Sequence, residues 1–111
     1  MQIQINTDHN INGHQGLSAQ VSTVVENALR NFIDQITRVE VHLRDENSNK
    51  SGPNDKRCMM EARLEGRQPI AVTHQASTVD QAVDGAAEKL SKLIESDLGR
   101  QRDLRRQPTE S

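Results

Sequence analysis

Apolar residues recur in this chain with two different periods, and the order of those periods constrains its fold more than any other feature. Alternation of apolar and polar residues, the signal of a half-buried strand, marks four segments, at residues 1–6, 37–44, 56–65 and 70–76. Helical spacing of apolar residues marks two segments, at residues 17–33 and 79–98. The resulting order, β-α-β-β-β-α, predicts an α+β fold.

The predicted topology follows from how these segments can bury their apolar faces. A right-handed crossover brings the first two strands together in parallel, and the remaining strands form an antiparallel meander. The sheet offers one apolar face, so two helices packed on one face of a four-stranded mixed sheet are expected. The predicted core consists of Leu29, Phe32, Val41, Leu43, Met60, Leu64, Val83, Leu90 and Leu93.

A length of 111 residues fits a single domain. We expect this domain at residues 1–98, with the last helix capped by Ser77 or Thr78 and ended at Gly99. Residues 99–111 are predicted to be a basic, disordered tail. Residues 45–55 have no large apolar side chain and are predicted to be an exposed loop.

Composition excludes several classes of function. Phe32 is the only aromatic residue, which excludes sites that stack bases on aromatic rings. The net charge of -2 gives no global basic footprint for nucleic acid, so any such patch must be local. The single cysteine, the lack of a signal-peptide pattern and the lack of a long apolar run predict a soluble, cytoplasmic protein.

Nothing in the residue pattern indicates catalysis. His9 and His14 flank a turn without metal-ligand spacing, and no glycine-rich phosphate loop is present. Cys58 shares its strand face with Met60 and Leu64, which predicts a packed, inert thiol. We therefore expect no enzymatic activity, catalytic residue, metal site, cofactor or small-molecule substrate.

Two sets of charged residues are candidate contact surfaces. The outward positions of strands two and three carry charges of both signs, which predicts either a ladder of cross-strand ion pairs or a partner-binding face. Lys89 and Lys92 share a face of the last helix, and Arg100, Arg102, Arg105 and Arg106 follow. These cations fit phosphate binding, although basic residues also complement the C-terminal end of a helix dipole.

Three segments of the sequence carry a family resemblance, namely Met1 to Ile5, Phe32 to Val41, and Ala82 to Leu90. They resemble the ribosome hibernation-promoting factor and ribosome-associated inhibitor family, in its short form, and the last segment is similar to that family's A-I-D-x-x-x-D-K-L pattern. The similarity runs from Met1 to about Leu98. The family's first helix commonly carries several lysines or arginines, whereas Arg30 is the sole basic residue of the first helical segment here, as in a divergent branch.

The resemblance implies a translation inhibitor that silences or stores ribosomes under stress. Its partner would be the small ribosomal subunit, bound through 16S rRNA, without DNA or membrane contact. The implied rRNA-binding residues are Lys89 and Lys92, to which the charge pattern adds Arg100 and Arg102, with Arg57 and Arg63 as a second patch.

Two other functions fit the same fold. A protein-binding module could use the exposed face of the hairpin formed by strands two and three and no longer bind ribosomes. A double-stranded-RNA-binding domain also lays two helices on a sheet, but residues 78–84, at the start of the last helix, contain no basic residue.

Overall fold

A computed structural model describes residues 1–8, 16–45 and 56–106, with side chains described as far as residue 99. The elements are β1 (Gln2–Thr7), α1 (Leu17–Ala28), β2 (Ile36–Asp45), β3 (Lys56–Leu64), β4 (Ile70–Ala76) and α2 (Val79–Arg106). This order confirms the predicted α+β fold. Of the predicted loop at residues 45–55, Asp45 ends β2, and residues 46–55 lie outside the described residues, as do His9 and His14.

The four strands form one mixed sheet in the order β1-β2-β3-β4. β1 pairs with β2 in parallel, with Ile3 opposite Val39 and Ile5 opposite Val41. β2, β3 and β4 are successively antiparallel, with Val41 opposite Met60 and Met60 opposite Val72. Apolar side chains at alternate positions therefore align across the sheet on its inner face, which the helices cover.

A β-bulge at the start of β2 brings one further side chain into the core. The register shifts between Ile36 and Arg38, so Ile36 faces inward although it lies an odd number of residues from Val39. An extra residue in one strand reverses the side-chain parity beyond it. Ile36 is 3% exposed as a result, and the strand begins with a core residue.

The core lies between the inner face of the sheet and the two helices. α1 contributes Val21 and Val25, and the turn after it contributes Leu29. The fully or nearly buried residues of α2 are Ala82, Val83, Ala86, Ala87, Leu90 and Ile94. Small residues dominate the α2 stripe, which lets this helix approach the sheet closely.

Two of the predicted core residues are less buried than expected. α1 ends at Ala28, and a 3-10 turn over Arg30–Phe32 replaces its predicted fourth turn. That turn winds about 3.0 rather than 3.6 residues per turn, so Phe32 packs only partly against the core. Leu93 is 45% exposed, because Ile94, the next residue, occupies the inward position on α2.

The first turn of α2 is capped as predicted, but the helix ends later than Gly99. The backbone N–H of Gln81 donates to Thr78 Oγ1 at 3.1 Å, which satisfies one of the free amides of the first turn. Helical backbone continues through Gly99 to Arg106, because a single interior glycine disfavours a helix by only about 1 kcal/mol. No described helix is long and apolar enough to cross a membrane.

Gly85 sets how closely α2 approaches β4. His74 lies on the inner face of β4, and its ring occupies the space beside Gly85. A Cβ at position 85 would come within 2.1 Å of His74 Cδ2 and 2.3 Å of His74 Nε2. The glycine is therefore required by the ring of His74 rather than by a special backbone angle.

We expect Gly85→Ala to destabilise the protein by about 1–3 kcal/mol, because an overpacked contact must displace the His74 ring or α2. Gly99→Ala is the matched control on the same helix, since nothing lies within 4 Å of its added Cβ. That control should be neutral or stabilising, by up to about 1 kcal/mol. Urea unfolding measures both changes. In a His74→Ala background Gly85→Ala should no longer destabilise, and a persistent loss of stability there would contradict this account.

Cys58 lies fully buried on the inner face of β3, as the sequence predicts. Its cross-strand neighbour is His74. An imidazole beside a thiol can activate it, but burial raises the pKa of the Cys58 thiol to about 12. The thiolate needed for nucleophilic attack is therefore strongly disfavoured near neutral pH.

Native protein should accordingly resist thiol reagents at pH 8, with labelling of Cys58 limited by unfolding. The measurement is the rate of reaction with a chromogenic disulfide, with and without denaturant. One equivalent should react promptly in denaturant and slowly in its absence. Prompt stoichiometric labelling of the native protein would show that the thiol is accessible.

Candidate nucleic-acid interface

The outer face of the sheet, the side away from the helices, carries most of the sheet's charge. Within β2 and β3 its charged side chains are Arg38, Glu40, Arg44, Arg57, Glu61 and Arg63. Four arginines thus face two glutamates on this hairpin, together with His42 and Met59. β1 adds the polar side chains of Gln2, Gln4 and Asn6 at its outward positions.

The register of β2 and β3 places like charges directly opposite one another. Arg38 is opposite Arg63, Glu40 is opposite Glu61, and Arg44 is opposite Arg57. Directly opposed side chains of like charge destabilise an antiparallel pair. At these outward positions the register does not favour ion pairs between directly opposed residues, and the charges form two basic rows and one acidic row across the hairpin.

Glu40 is the centre of the ion-pair cluster on this face. Its Oε2 pairs with Arg38 Nη2 along the same strand, and its Oε1 lies 3.5 Å from His42 Nε2. The Arg38 hydrogen bond holds the pKa of the Glu40 carboxyl below its ordinary value, with further contributions from His42 and the charge of Arg63. Arg38 Nε is buried and has no hydrogen-bond partner among the described residues.

Arg44 and Arg63 lie at the two ends of the hairpin face, and both are exposed. Within the described parts of the chain, neither side chain forms an ion pair or donates a hydrogen bond. Two guanidinium groups are thus available for an external anion, one in each basic row. Arginine is well suited to phosphate, which it can bind through two parallel hydrogen bonds.

Among its described side chains, up to residue 99, the helical layer has the opposite charge balance. α1 contains one glutamate and no basic residue. In α2, up to residue 99, two lysines face the five carboxylates Asp80, Asp84, Glu88, Glu95 and Asp97. Asp97 pairs with Arg67 of the turn between β3 and β4, and this ion pair ties that turn to the helix.

Lys89 and Lys92, the predicted contact residues of α2, both have partners within the protein. Lys89 Nζ donates to the backbone carbonyl oxygen of Thr73 at 3.1 Å, on the terminal strand β4. Lys92 Nζ lies 3.4 Å from Glu88 Oε1, one helical turn earlier, and both side chains are about three-quarters exposed, at 74% and 73%. Exposed pairs of this kind are weak, so Lys92 can exchange its partner.

The predicted site residues therefore do not form one patch. Arg57 and Arg63 share the outer sheet face, whereas Lys89 and Lys92 belong to the helical layer on the other side. Arg100 and Arg102 lie on the backbone of α2, but their side chains fall outside the described residues. The outward parity of β2 also places Arg38 and Arg44 beside Arg57 and Arg63, and the sequence pattern alone does not single out these two as contact residues.

The described residues contain no group of three or more His, Cys, Asp or Glu side chains placed to hold a metal ion. Two shallow pockets adjoin the helices, and a third lies on the outer sheet face, lined in part by Arg44 and Arg57. The outer face therefore combines cations, a concave surface and repulsion between like charges. We take it as the candidate interface.

The Arg38 contact predicts a measurable titration of Glu40. Because the folded pKa is lowered, ionised Glu40 stabilises the fold above its unfolded pKa, and this contribution is lost as pH falls through the folded value. Carboxyl carbon NMR should give a midpoint below 4.5 that rises in Arg38→Gln. Arg30→Gln, on the helical side, should leave the midpoint unchanged. A wild-type midpoint at or above 4.5 would show that the ion pair does not form in solution.

Comparison with solved structures supports the fold. The N-terminal domain of Thermus thermophilus Protein Y has a TM-score of 0.69 at 17% identity, over 86% of this chain and 98% of that one. A ribosomal subunit interface protein from Coxiella burnetii has a TM-score of 0.67 at 18% identity, over 89% of this chain and 99% of that one. Both share this arrangement of strands and helices.

At the level of sequence, no curated protein matches this chain. A family model does match, over residues 3–102, and its description is Sigma 54 modulation protein / S30EA ribosomal protein. The match covers nearly the whole described domain and confirms the family resemblance predicted from the sequence. The chain therefore belongs to the Sigma 54 modulation protein / S30EA ribosomal protein family.

Proposed function

We propose that this protein is a ribosome-associated translation inhibitor, a hibernation factor that binds the small ribosomal subunit through contacts with rRNA. The observation that carries the proposal is the family match over residues 3–102, which reaches from β1 into α2. The likeness to a protein described as a ribosomal subunit interface protein agrees with it. Such a factor would act by occupancy, without catalysis or a cofactor.

The charge distribution favours the outer sheet face as the principal contact. RNA presents a dense array of phosphates, so a binding face needs an excess of accessible cations. The hairpin face has four arginines against two glutamates, while α2 has two lysines against five carboxylates among its described side chains. Arg57 and Arg63, together with Arg44, are the primary contacts that we propose.

Lys89, Lys92, Arg100 and Arg102 form a secondary contact in this proposal. Lys92 is held by one exposed partner, and Lys89 already donates to Thr73. Carboxylates lie near both lysines on the same helix and oppose phosphate binding there. We therefore assign Lys89 and Lys92 a smaller share of the binding free energy than the hairpin arginines.

A protein-binding module is the second candidate, and the opposed like charges on β2 and β3 favour it equally. Alternating rows of charge suit a protein surface with complementary rows, and they would also specify its register. This candidate uses the same face but requires no ribosome. The two functions therefore differ in the partner and not in the location of the site.

Co-sedimentation with purified small ribosomal subunits distinguishes these functions. We expect wild-type protein to bind at low salt and to be released as salt rises, because phosphate contacts displace counterions. Arg57→Gln with Arg63→Gln should weaken binding strongly and reduce the log-log salt slope by roughly 0.7 to 0.9 for each phosphate that is no longer neutralised. Lys89→Gln with Lys92→Gln removes the same two charges, so it controls for net charge, and it should have a smaller effect.

Each other outcome contradicts a stated part of the proposal. Wild-type protein that stays in the supernatant at low salt would refute ribosome association and favour the protein-binding module. If the double lysine variant loses ribosome binding and the double arginine variant binds as wild type does, the assignment of the outer sheet face is refuted. Far-UV circular dichroism of both double variants checks that each one remains folded.

A further inference from the structure

An open pocket of about 330 Å³ lies on the outer sheet face, where β1 ends beside β2 and β3. Its wall includes Asn6, Asp8, His42, Arg44, Arg57 and Met59. Pockets that hold small ligands occupy roughly 300 to 1,000 Å³ and combine an apolar surface with a few polar groups. This pocket has the volume and the mixed lining of such a site.

Two cations lie side by side in the pocket wall. Arg44 and Arg57 occupy directly opposed positions of the antiparallel pair, where Cβ atoms lie roughly 4.5–5.5 Å apart. Their mutual repulsion falls when an anion binds between or above them. Arg44 is exposed and, in the described part of the protein, has no ion-pair partner, so its guanidinium is available to a ligand.

The remaining wall suits a flat, partly apolar group beside that anion. Met59 is opposite His42 in the register, and Asn6 is opposite His42 on the other side, so the three form one row next to the two arginines. A methionine thioether contacts aromatic rings favourably. The Asn6 amide can both donate and accept hydrogen bonds at the edge of a base.

Asp8 is the one carboxylate among the described residues that line the pocket. Its Oδ2 accepts a hydrogen bond from the backbone N–H of Asp45 at 3.2 Å, so this oxygen is already engaged with the end of β2. Among the residues that line the pocket, two guanidinium groups and one carboxylate are charged. That balance favours a ligand with at least one negative charge.

We infer that this pocket binds a nucleotide, with Arg44 and Arg57 on the phosphate and with Met59, His42 and Asn6 against the base. The nucleotide comes either free from solution or as one unit of an RNA strand, and both sources present the same phosphate and base. This inference goes beyond ribosome association, because it assigns a specific site that a nucleotide can occupy in the absence of ribosomes. It also gives a molecular reason for the opposed arginines.

Isothermal titration calorimetry of the full chain tests the inference with adenosine 5′-monophosphate, adenosine, inorganic phosphate and hexa-adenylate. The monophosphate should bind more tightly than adenosine or phosphate alone, because both halves of the site then contribute. The Met59 methyl signal in NMR spectra should shift on binding. If the monophosphate leaves this signal in place while hexa-adenylate shifts it, then the source is an RNA strand.

Arg44→Gln should weaken binding of whichever adenylate probe shifts the Met59 signal by roughly 10-fold or more. This is the usual effect of removing a hydrogen bond to a charged group. Arg30→Gln is the matched control, since Arg30 donates to Asn27 Oδ1 at 3.3 Å on the helical side. It removes the same charge and should leave affinity unchanged. Equally weakened binding in both variants, or no shift of Met59 with either adenylate probe, would overturn the inference whether or not the protein binds ribosomes.

Discussion

The pairing register between β2 and β3 is the constraint on which the rest of this structure depends. If the pairing of β3 with β2 shifted by one residue, the inward side chains of β3 would turn from the core to the outer face. These side chains are Cys58, Met60, Ala62 and Leu64, and α2 would lose the apolar surface of β3 against which it packs. The same register necessarily opposes Arg38 to Arg63 and Arg44 to Arg57. The register that buries the apolar side chains of the inner face therefore also places like charges opposite one another on the outer face. No single register gives both full apolar burial and favourable charge pairing.

The energies of these two effects explain why the core prevails. Burying a side chain such as Met60 or Leu43 contributes roughly 1.5–3 kcal/mol, whereas cross-strand side-chain pairs contribute roughly 0.2–1 kcal/mol. Part of the repulsion is offset along the strand, where Arg38 pairs with Glu40. Among the described side chains, arginine is therefore in excess on the outer sheet face, and carboxylate is in excess on α2 up to residue 99.

This separation of charge gives the protein a preferred orientation toward a polyanion. A polyanion such as the proposed rRNA partner would be attracted to the hairpin arginines and repelled by the described carboxylates of α2, so the two faces would act in the same direction during approach. A chain with a net charge of -2 can in this way bind a negatively charged partner, because the sign of the local field matters more at short range than the total. Salt would weaken both the attraction and the orientation.

Much of this arrangement can be predicted from the sequence, because side-chain period is a local property. Alternation gives β4 its observed bounds and assigns Arg57 and Arg63 to the outer face. Register is not local, however, and alternation alone cannot show that charges of like sign are opposed. For that reason the sequence pattern is compatible with Arg38 and Arg44 as members of an ion-pair ladder, and only the register shows that they lie opposite Arg63 and Arg57. The predicted core differs from the observed one for a similar reason. The bulge at Ile36 and the 3-10 turn over Arg30–Phe32 are deviations of a single residue or turn, which no periodic pattern contains.

The contact between His74 and Gly85 has a consequence for how this sequence can diverge. Because a Cβ at position 85 would have to displace the ring at position 74, we expect positions 74 and 85 to change together. A relative with alanine or a larger residue at position 85 should carry a small side chain at position 74, and a relative with a ring at 74 should keep the glycine. The pair is thus a marker of how close the helix lies to the sheet in each branch of the family.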